Sequence, residues 1–229
     1  MTLDQFISHL NARSRRASDD ESGAAMVEFA IVVGLFFFIF FTLIDFGRLM
    51  YTYVHAESAA ILATRTAVVR PPVCTGVPIT NLPPASAGAD HPRSGTSCDF
   101  VPLGGGGTCA TINVSCNVGD QNLQANATVV EVWNRIQNLM PPGSDIEDLT
   151  FRYEFDARLG FLGGPYTPMV TVEFDLDDPG EEFQFVSPIS GLATLAITGT
   201  AGDGTLPTIQ YPDFSVSLPA EDLRDGTGS

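Results

Sequence analysis

One long apolar run near the start of the sequence limits how the chain can fold. The run covers residues 24–44, reads AAMVEFAIVVGLFFFIFFTLI and contains one charged residue, Glu28. Its 21 residues would form a helix about 31 Å long, which matches the roughly 30 Å hydrocarbon core of a bilayer. A secretory signal peptide is the alternative, but its apolar region is shorter and is followed by small residues. Because Asp45-Phe46-Gly47-Arg48 follows here, the run predicts a membrane-spanning helix.

The arginines on either side of the run predict its orientation. Arg13, Arg15 and Arg16 precede it, whereas Arg48 is the one arginine among the fifteen residues that follow. Arginine concentrates on the cytoplasmic side of membrane helices. We therefore expect a cytoplasmic N-terminus and export of the larger part of the chain.

The charge of the chain excludes some classes of partner. The sequence has 11 arginines and no lysine, against 27 acidic residues, and its formal net charge is −16. Residues 71–229 hold five Arg and twenty Asp or Glu, a net charge of −15. Binding to nucleic acid requires basic residues, so no nucleic-acid partner is expected. No basic patch would hold this part on anionic lipid either.

The helix is expected to continue beyond the apolar run. Residues 45–70 contain one glycine and no proline, and the first strong helix breaker is Pro71-Pro72. This pattern predicts one helix over residues 24–70. Small residues recur in it at three- and four-residue spacing, at Ala56, Ala59, Ala60, Ala63 and Ala67. We expect this alanine stripe to pack on a sheet or a second helix, although alanine also favours exposed helices.

A carboxylate inside the apolar run indicates a function. Burying Glu28 in a membrane costs a few kcal/mol, unless the side chain reaches back to the surface. The residues around it read Gly23-Ala24-Ala25-Met26-Val27-Glu28-Phe29. This order of a glycine, four small or apolar residues and a glutamate resembles the cleavage junction of type IV prepilins.

The resemblance implies a processing step and a role for the glutamate. In type IV prepilins a membrane aspartyl peptidase, the prepilin peptidase, cuts after the glycine. Residues 1–23 would then be a cytoplasmic leader and Ala24 the new N-terminus, with Glu28 one helical turn from its ammonium group. In a fibre, Glu28 of one subunit would neutralise the amine of a neighbour and set the register between subunits.

Residues 22–70 resemble the TadE-like family of the Tad (tight adherence) pilus systems. The features that match are Gly23-Ala24-Ala25, Val27-Glu28-Phe29-Ala30, Asp45-Phe46-Gly47-Arg48 and the alanine-rich helix. About 160 residues follow this segment, so the chain resembles a minor pilin or pseudopilin rather than a short major pilin. The resemblance implies a structural subunit for adhesion, neither an enzyme nor dependent on a cofactor. It would cross the bacterial inner membrane once, with its C-terminal domain in the periplasm or, within the pilus, outside the cell.

The same resemblance implies partners and packing residues. The partners would be the prepilin peptidase, other Tad pilins and minor pilins, the inner-membrane assembly platform and membrane lipid. The residues of the helix that pack would be Phe29, Gly34, Asp45, Gly47, Arg48, Ala60, Ala63 and Ala67. Two other interpretations remain: a periplasmic binding domain that is anchored but never enters a fibre, and an anchored hydrolase.

The exported part is predicted to begin with an irregular segment. Residues 71–107 hold seven prolines and seven glycines, which predicts a loop tied by disulfides. Residues 108–218 would form the folded domain, and residues 219–229 a frayed tail.

The folded domain is predicted to contain three strands and one helix. Alternating apolar residues predict strands at 111–118, 149–156 and 170–176. Between the first two strands, the spacing over residues 126–140 predicts a helix whose apolar face holds Val129, Val132, Trp133, Ile136 and Met140. The last two strands would pair through a turn around Gly163-Gly164-Pro165. The result is an α+β fold in which the long N-terminal helix packs on a small antiparallel sheet with one further helix.

The four cysteines are candidates for two disulfides. Cys74, Cys98, Cys109 and Cys116 can pair in three ways. Cys109 and Cys116 lie on one predicted strand, about 23 Å apart if extended, which disfavours a bond between them. A turn at Gly104–Gly107 would bring Cys98 towards Cys109 and leave Cys74 for Cys116. Metal binding is the alternative, but the sequence has no C-x2-C pair and His91 is the one histidine nearby.

No catalytic or metal site is predicted. His9, His55 and His91 lie in the leader, the long helix and the proline-rich segment, which leaves little material for a Ser/His triad. The acidic run at residues 175–182 has a spacing similar to that of a calcium loop. Pro179 and Val186 occupy positions that should supply ligands, so a solvated turn is the better interpretation.

Overall fold

One helix dominates the N-terminal part of the computed structural model. The structure describes residues 21–85, 92–101, 107–176, 182–185, 208–221 and 223. The helix, α1, spans Glu21–Ala67 and has 47 residues, which gives a length of about 70 Å. It ends three residues before the predicted end at Arg70, because Pro71 and Pro72 have no amide hydrogen with which to continue its hydrogen bonds.

The other elements follow in the order β1, α2 and then β2 to β6. Their bounds are Val114–Asn117 for β1, Ala127–Ile136 for α2, Leu149–Glu154 for β2, Met169–Phe174 for β3, Phe183–Gln184 for β4, Thr208–Ile209 for β5 and Phe214–Pro219 for β6. Four strands form an antiparallel sheet in the order β1-β2-β3-β6, and β4 pairs with β5 separately. The expected α+β fold is therefore present, with a fourth strand in the sheet that the sequence analysis missed.

The chain divides into two compact units. The first contains residues 1–48 and 184–207, and the second contains residues 49–183 and 208–229. The residues of α1 up to Arg48 thus belong to the first unit, and those from Leu49 onward belong to the second, together with the four-stranded sheet.

The core of the second unit lies on one face of the sheet. Alternate residues of the two central strands are fully buried: Leu149, Phe151, Tyr153, Val170, Val172 and Phe174. The register aligns Phe151 with Cys116 on β1 and with Val172 on β3, so apolar side chains form rows across the strands. The period of two in the sequence thus sets which face is buried.

The opposite face of the sheet is polar and internally hydrogen-bonded. Arg152 Nη2 donates to Glu173 Oε2 at 3.1 Å across β2 and β3. The hydroxyls of Thr171 and Ser217 lie 2.7 Å apart across β3 and β6. These cross-strand pairs stabilise the register that the buried face sets.

The C-terminal third of α1 packs on the core through the alanine stripe. Its members are at most 1% exposed: Ala56, Ala59, Ala60, Ala63 and Ala67. Thr64 lies on the same face, and its hydroxyl is 2.8 Å from the carbonyl oxygen of Ala60 and 3.1 Å from that of Val216 in β6. Small side chains allow the helix backbone to approach the sheet this closely. The predicted packing of the long helix on the sheet is confirmed.

The helix α2 covers the same core but is shorter than predicted. The side chain of Asn126 caps it by accepting hydrogen bonds from the amides of Thr128 and Val129. The predicted end at residue 140 is wrong, because the helix ends at Ile136. The amide of Leu139 donates to the carbonyl of Ile136 in a tight turn. Met140 therefore lies beyond the helix, and Trp133 is half-buried on it.

Two disulfides connect the proline- and glycine-rich segment to the residues that follow it. They join Cys74 to Cys116 and Cys98 to Cys109, the pairing that a turn between Cys98 and Cys109 favours. The first links the chain just beyond α1 to β1. The second packs with Leu162 against the partly buried Phe155 and Ala157. Residues 104–106, where the turn was predicted, lie outside the described residues.

The proline- and glycine-rich segment is more regular than expected, because it pairs with the β2–β3 connection. Asn81 N donates to Gly164 O at 2.9 Å, and Cys98 N donates to Gly160 O at 3.0 Å. The connection turns at Gly163, whose φ of +80° favours glycine, as the predicted turn there requires. The expectation of an irregular loop thus missed a set of hydrogen bonds between two distant connections.

The C-terminal segment is ordered further than expected. The prediction of a frayed tail from Pro219 onward is wrong for its first residues, since Pro219 is the last residue of β6. Ala220 N donates to Pro168 O at 2.8 Å, and Glu221 N donates to Val68 O at 3.1 Å. These bonds hold Ala220 and Glu221 against the start of β3 and the end of α1. The predictions for residues 1–20, 177–181 and 224–229 lie outside the described residues.

Candidate functional site

The predicted cleavage junction lies in the first turn of α1. Gly23 and Ala24 are the third and fourth residues of the helix. The first amides of a helix have no intrahelical acceptor, so this turn opens at low cost. A Cβ added at Gly23 would meet no atom within 4 Å. Nothing in the described chain therefore requires glycine at position 23, and such a requirement would come from a molecule that acts on the junction.

Glu28 lies on the same face of α1 as Ala24. Residues four positions apart are neighbours on a helix surface, about 6 Å apart along the axis. Glu28 is exposed, and in the described part of the chain it has no hydrogen-bond or ion-pair partner. Its carboxylate is therefore available to a group from another molecule.

The apolar part of α1 is bare. Its exposed large apolar side chains run from Met26 to Val54, with exposed fractions of 37–74%. Gly34 and Gly47 also have open space around them. Among the described residues, α1 is the one helix long and apolar enough to cross a membrane. We call residues 24–54 of α1 the bare surface.

A buried carboxylate lies where the apolar run ends. Asp45 is 3% exposed, and Arg48 Nη1 lies 3.4 Å from its Oδ1. The ring of Phe46 makes an edge-on contact with Phe185, with 5.9 Å between the ring centres. In the sequence, Asp45 and Arg48 stand out only through the family resemblance. The sequence does not indicate that Asp45 is buried and Arg48 exposed.

The residues expected to pack along the helix fall into two groups. Exposed ones are Phe29, Gly34, Gly47 and Arg48, and buried ones are Asp45, Ala60, Ala63 and Ala67. The three alanines contact the chain's own core. The surface that remains for a neighbouring helix beyond the apolar run is formed instead by Met50, Val54 and Ile61, which are 63%, 57% and 38% exposed. Their spacing of four and seven residues was the sequence signal for this face.

The described residues contain neither a free cysteine nor a group of side chains suited to a metal ion. All four cysteines form disulfides, and no three or more His, Cys, Asp or Glu side chains of the described part are arranged to hold a metal ion. The ring of His55 is tilted at 50° to that of Tyr51, with 4.1 Å between the ring centres, whereas His9 and His91 lie outside the described residues. Glu173, Asp175 and Asp213 line an open cleft beside β3.

Two tyrosines of the second unit have shifted pKa values for structural reasons. Burial raises the pKa of Tyr153 to about 12, and its hydroxyl oxygen accepts a hydrogen bond from the amide of Val73 at 3.0 Å. Burial also raises the pKa of Tyr166 to about 12, and its hydroxyl donates to the carbonyl of Ile112 at 2.5 Å. Both side chains stay neutral at physiological pH. Tyr153 ties the segment after α1 to β2, and Tyr166 joins the β2–β3 connection to the segment before β1.

The family model for TadE-like proteins matches residues 23–65 of this chain. The match begins at Gly23 and covers the bare surface and most of the alanine stripe. It associates the helix with proteins of Tad pili, a structural rather than an enzymatic family. No curated protein and no solved structure matches the chain.

Proposed function

We propose that this chain is a minor pilin or pseudopilin of a Tad-type pilus, a structural subunit that takes part in fibre assembly for adhesion. The observation that carries the proposal is the division of α1. On the bare surface most large apolar side chains are exposed, whereas the last third of the helix is buried on a sheet. The family match over residues 23–65 covers both parts of the helix.

Before assembly, lipid would cover the bare surface. The 21-residue apolar run is long enough to span the bilayer, and the arginines before it favour a cytoplasmic N-terminus. The sheet and its two disulfides would then lie in the periplasm, where disulfides persist.

In the fibre, helices of sibling subunits would replace the lipid. A Cβ added at Gly34 or Gly47 would meet no described atom within 4 Å, and glycine in an exposed helix costs about 1 kcal/mol relative to alanine. Close approach of another helix would offset this cost. Met50 and Val54 extend the same apolar surface beyond the membrane, so assembly would remove them from water.

Processing would create the charge that Glu28 recognises. The prepilin peptidase would cut between Gly23 and Ala24 and leave an ammonium group on Ala24. Within an apolar bundle an unpaired ammonium or carboxylate is costly, and pairing the two lowers that cost. Since Glu28 has no partner among the described residues, its carboxylate is free to pair with the amine of a neighbouring subunit.

The mature N-terminus tests the proposal directly. Mass spectrometry of the native protein from sheared fibres and from membranes should find a chain that starts at Ala24. Intact Met1 in membranes, together with absence from fibres, would contradict the proposal and favour the anchored periplasmic domain.

Glu28→Gln tests the charge pairing. Cleavage should continue, because the junction is unchanged, but incorporation into fibres should fall by roughly tenfold, the loss that about 1.4 kcal/mol of pairing produces. Glu57→Gln is a matched control, since Glu57 is also exposed on α1 but lies beyond the apolar run. Normal incorporation of the Glu28→Gln protein would exclude this role.

A further inference from the structure

An uncharged stretch that includes Phe185 lies far along the sequence from α1. From Phe183 to Gly202, 20 consecutive residues carry no charge. This window also contains large apolar residues, namely Phe183, Phe185, Val186, Ile189, Leu192, Leu195 and Ile197.

The structure places the start of this window against α1. Phe185 directly follows β4, and its ring meets the ring of Phe46 edge-on, with 5.9 Å between centres and 65° between planes. Residues 184–207 belong to the same compact unit as α1 up to Arg48. Phe46 itself remains 49% exposed beside this contact.

Phe46 marks a defined depth if α1 spans the bilayer. It lies 22 residues after Ala24, a rise of roughly 33 Å, which is just beyond the ~30 Å hydrocarbon core. The flanking charges of Asp45 and Arg48 are costly inside hydrocarbon. The Phe46 ring, and with it the Phe185 ring, therefore lies at the level of the lipid headgroups.

We propose that Phe185 is a second membrane contact of this chain, seated with Phe46 at the bilayer interface where α1 leaves the membrane. The occupant of this surface is lipid, because the contact continues the surface that α1 presents to the bilayer. Aromatic rings favour this depth, and Phe183, Gln184 and Phe185 carry no charge that anionic headgroups would repel. The inference rests on the membrane insertion of α1 in the proposed function.

Fluorescence quenching by brominated lipid tests this contact. The chain has one tryptophan, Trp133, so Phe185→Trp in a Trp133→Phe background gives a single reporter in the full-length protein. The protein is placed in nanodiscs with one chain each, whose lipids carry bromine either near the headgroup or near the bilayer centre. We expect bromine near the headgroup to quench this reporter by about half, and bromine at the centre to quench it less.

Two matched reporters separate the possible outcomes. Leu35→Trp, at a 62% exposed position within the apolar run, should be quenched most by bromine at the centre. Phe161→Trp, at a 48% exposed position between β2 and β3, should not be quenched.

If Phe185→Trp behaves like Phe161→Trp while Leu35→Trp is quenched, the inference is wrong and the membrane insertion of α1 stands. If Leu35→Trp is not quenched either, the membrane stage of the proposed function fails with it. The same reporter can be compared in discs loaded with two chains. If the Phe185→Trp emission changes only in those discs, the surface contacts another copy and the lipid contact is overturned.

Discussion

Arg70 and Glu131 form a two-point ion pair between the end of α1 and α2. Arg70 Nε donates to Glu131 Oε2 at 2.6 Å, and Arg70 Nη2 donates to Oε1 at 2.9 Å. Arg135 donates to the same carboxylate at 2.7 Å. The hydrogen bond from Arg70 is the largest cause that lowers the pKa of Glu131 below its ordinary value of 4.5. The pair joins residues 61 positions apart.

Glu131→Gln should reveal a pH-dependent contribution to stability. Because the pKa of Glu131 is lowered in the folded state, its carboxylate stabilises the fold above about pH 4.5, and this contribution is lost as the pH falls through the folded-state value. The variant should therefore melt slightly below the wild type at pH 7, and the difference should shrink towards pH 3. The loss is small because the pair is half-exposed. Circular dichroism of the full chain in detergent measures it, and a difference that is equal at both pH values would contradict the prediction.

Thr64→Val should destabilise the packing of α1 on the sheet. The change keeps the shape but removes the hydroxyl that reaches Val216, which should cost about 1 kcal/mol and lower Tm by roughly 2–4 °C. Thr66→Val is the matched control, because Thr66 is also buried but its hydroxyl donates only along the helix, to Leu62. Equal losses of Tm in the two variants would show that the contact with β6 does not contribute.

The two disulfides should differ in their contribution to stability. Cys74–Cys116 closes a loop with a separation of 42 residues, and Cys98–Cys109 one of 11. Loop-closure entropy gives about 4 kcal/mol for the longer loop and about 3 kcal/mol for the shorter one. Replacing both cysteines of each pair by alanine and measuring denaturant unfolding of the full chain should show the larger loss for Cys74 and Cys116. The reverse order would show that loop length does not govern their effect.

Tyr153 should limit stability in alkali. Its pKa is about 12 in the folded state, against an ordinary value of 10.0, so its contribution is complete below pH 10 and is lost as the pH rises through about 12. Absorbance of tyrosinate in the folded protein should show a late component near pH 12 that decreases in Tyr153→Phe. Tyr166→Phe should remove a similar share, since its pKa is raised equally. If both variants leave the late component unchanged, the assignment is wrong.

The spacing of apolar and small residues in the sequence predicted the buried face of α1 and the central strands. The alanine stripe predicted which face of α1 is buried, because a period of 3.6 residues defines one face of a helix. Alternation predicted the strands around Phe151 and Val172 in the same way. The end of α2 was misplaced, since Met140 continues the apolar spacing but a tight turn after Ile136 breaks the helix first.

Features that depend on distant partners could not be predicted. The strand β6 alternates Phe214, Val216 and Leu218 with serines, yet its pairing with β3 is fixed only by the tertiary fold. The position of Glu221 likewise depends on a hydrogen bond to Val68. In the candidate site, the resemblance indicated Glu28 from the local order of residues, whereas the burial of Asp45 depends on the packing of the first unit.

In the proposed fibre, the bond between Cys74 and Cys116 would have a mechanical consequence. A pulling force that enters through α1 reaches Cys74 four residues after Arg70, and from there it passes through the covalent bond directly to β1. The loop between the two cysteines is shielded from the load and cannot lengthen. Tension therefore acts on the paired strands, which resist extension together, rather than on the weakest connection of the chain.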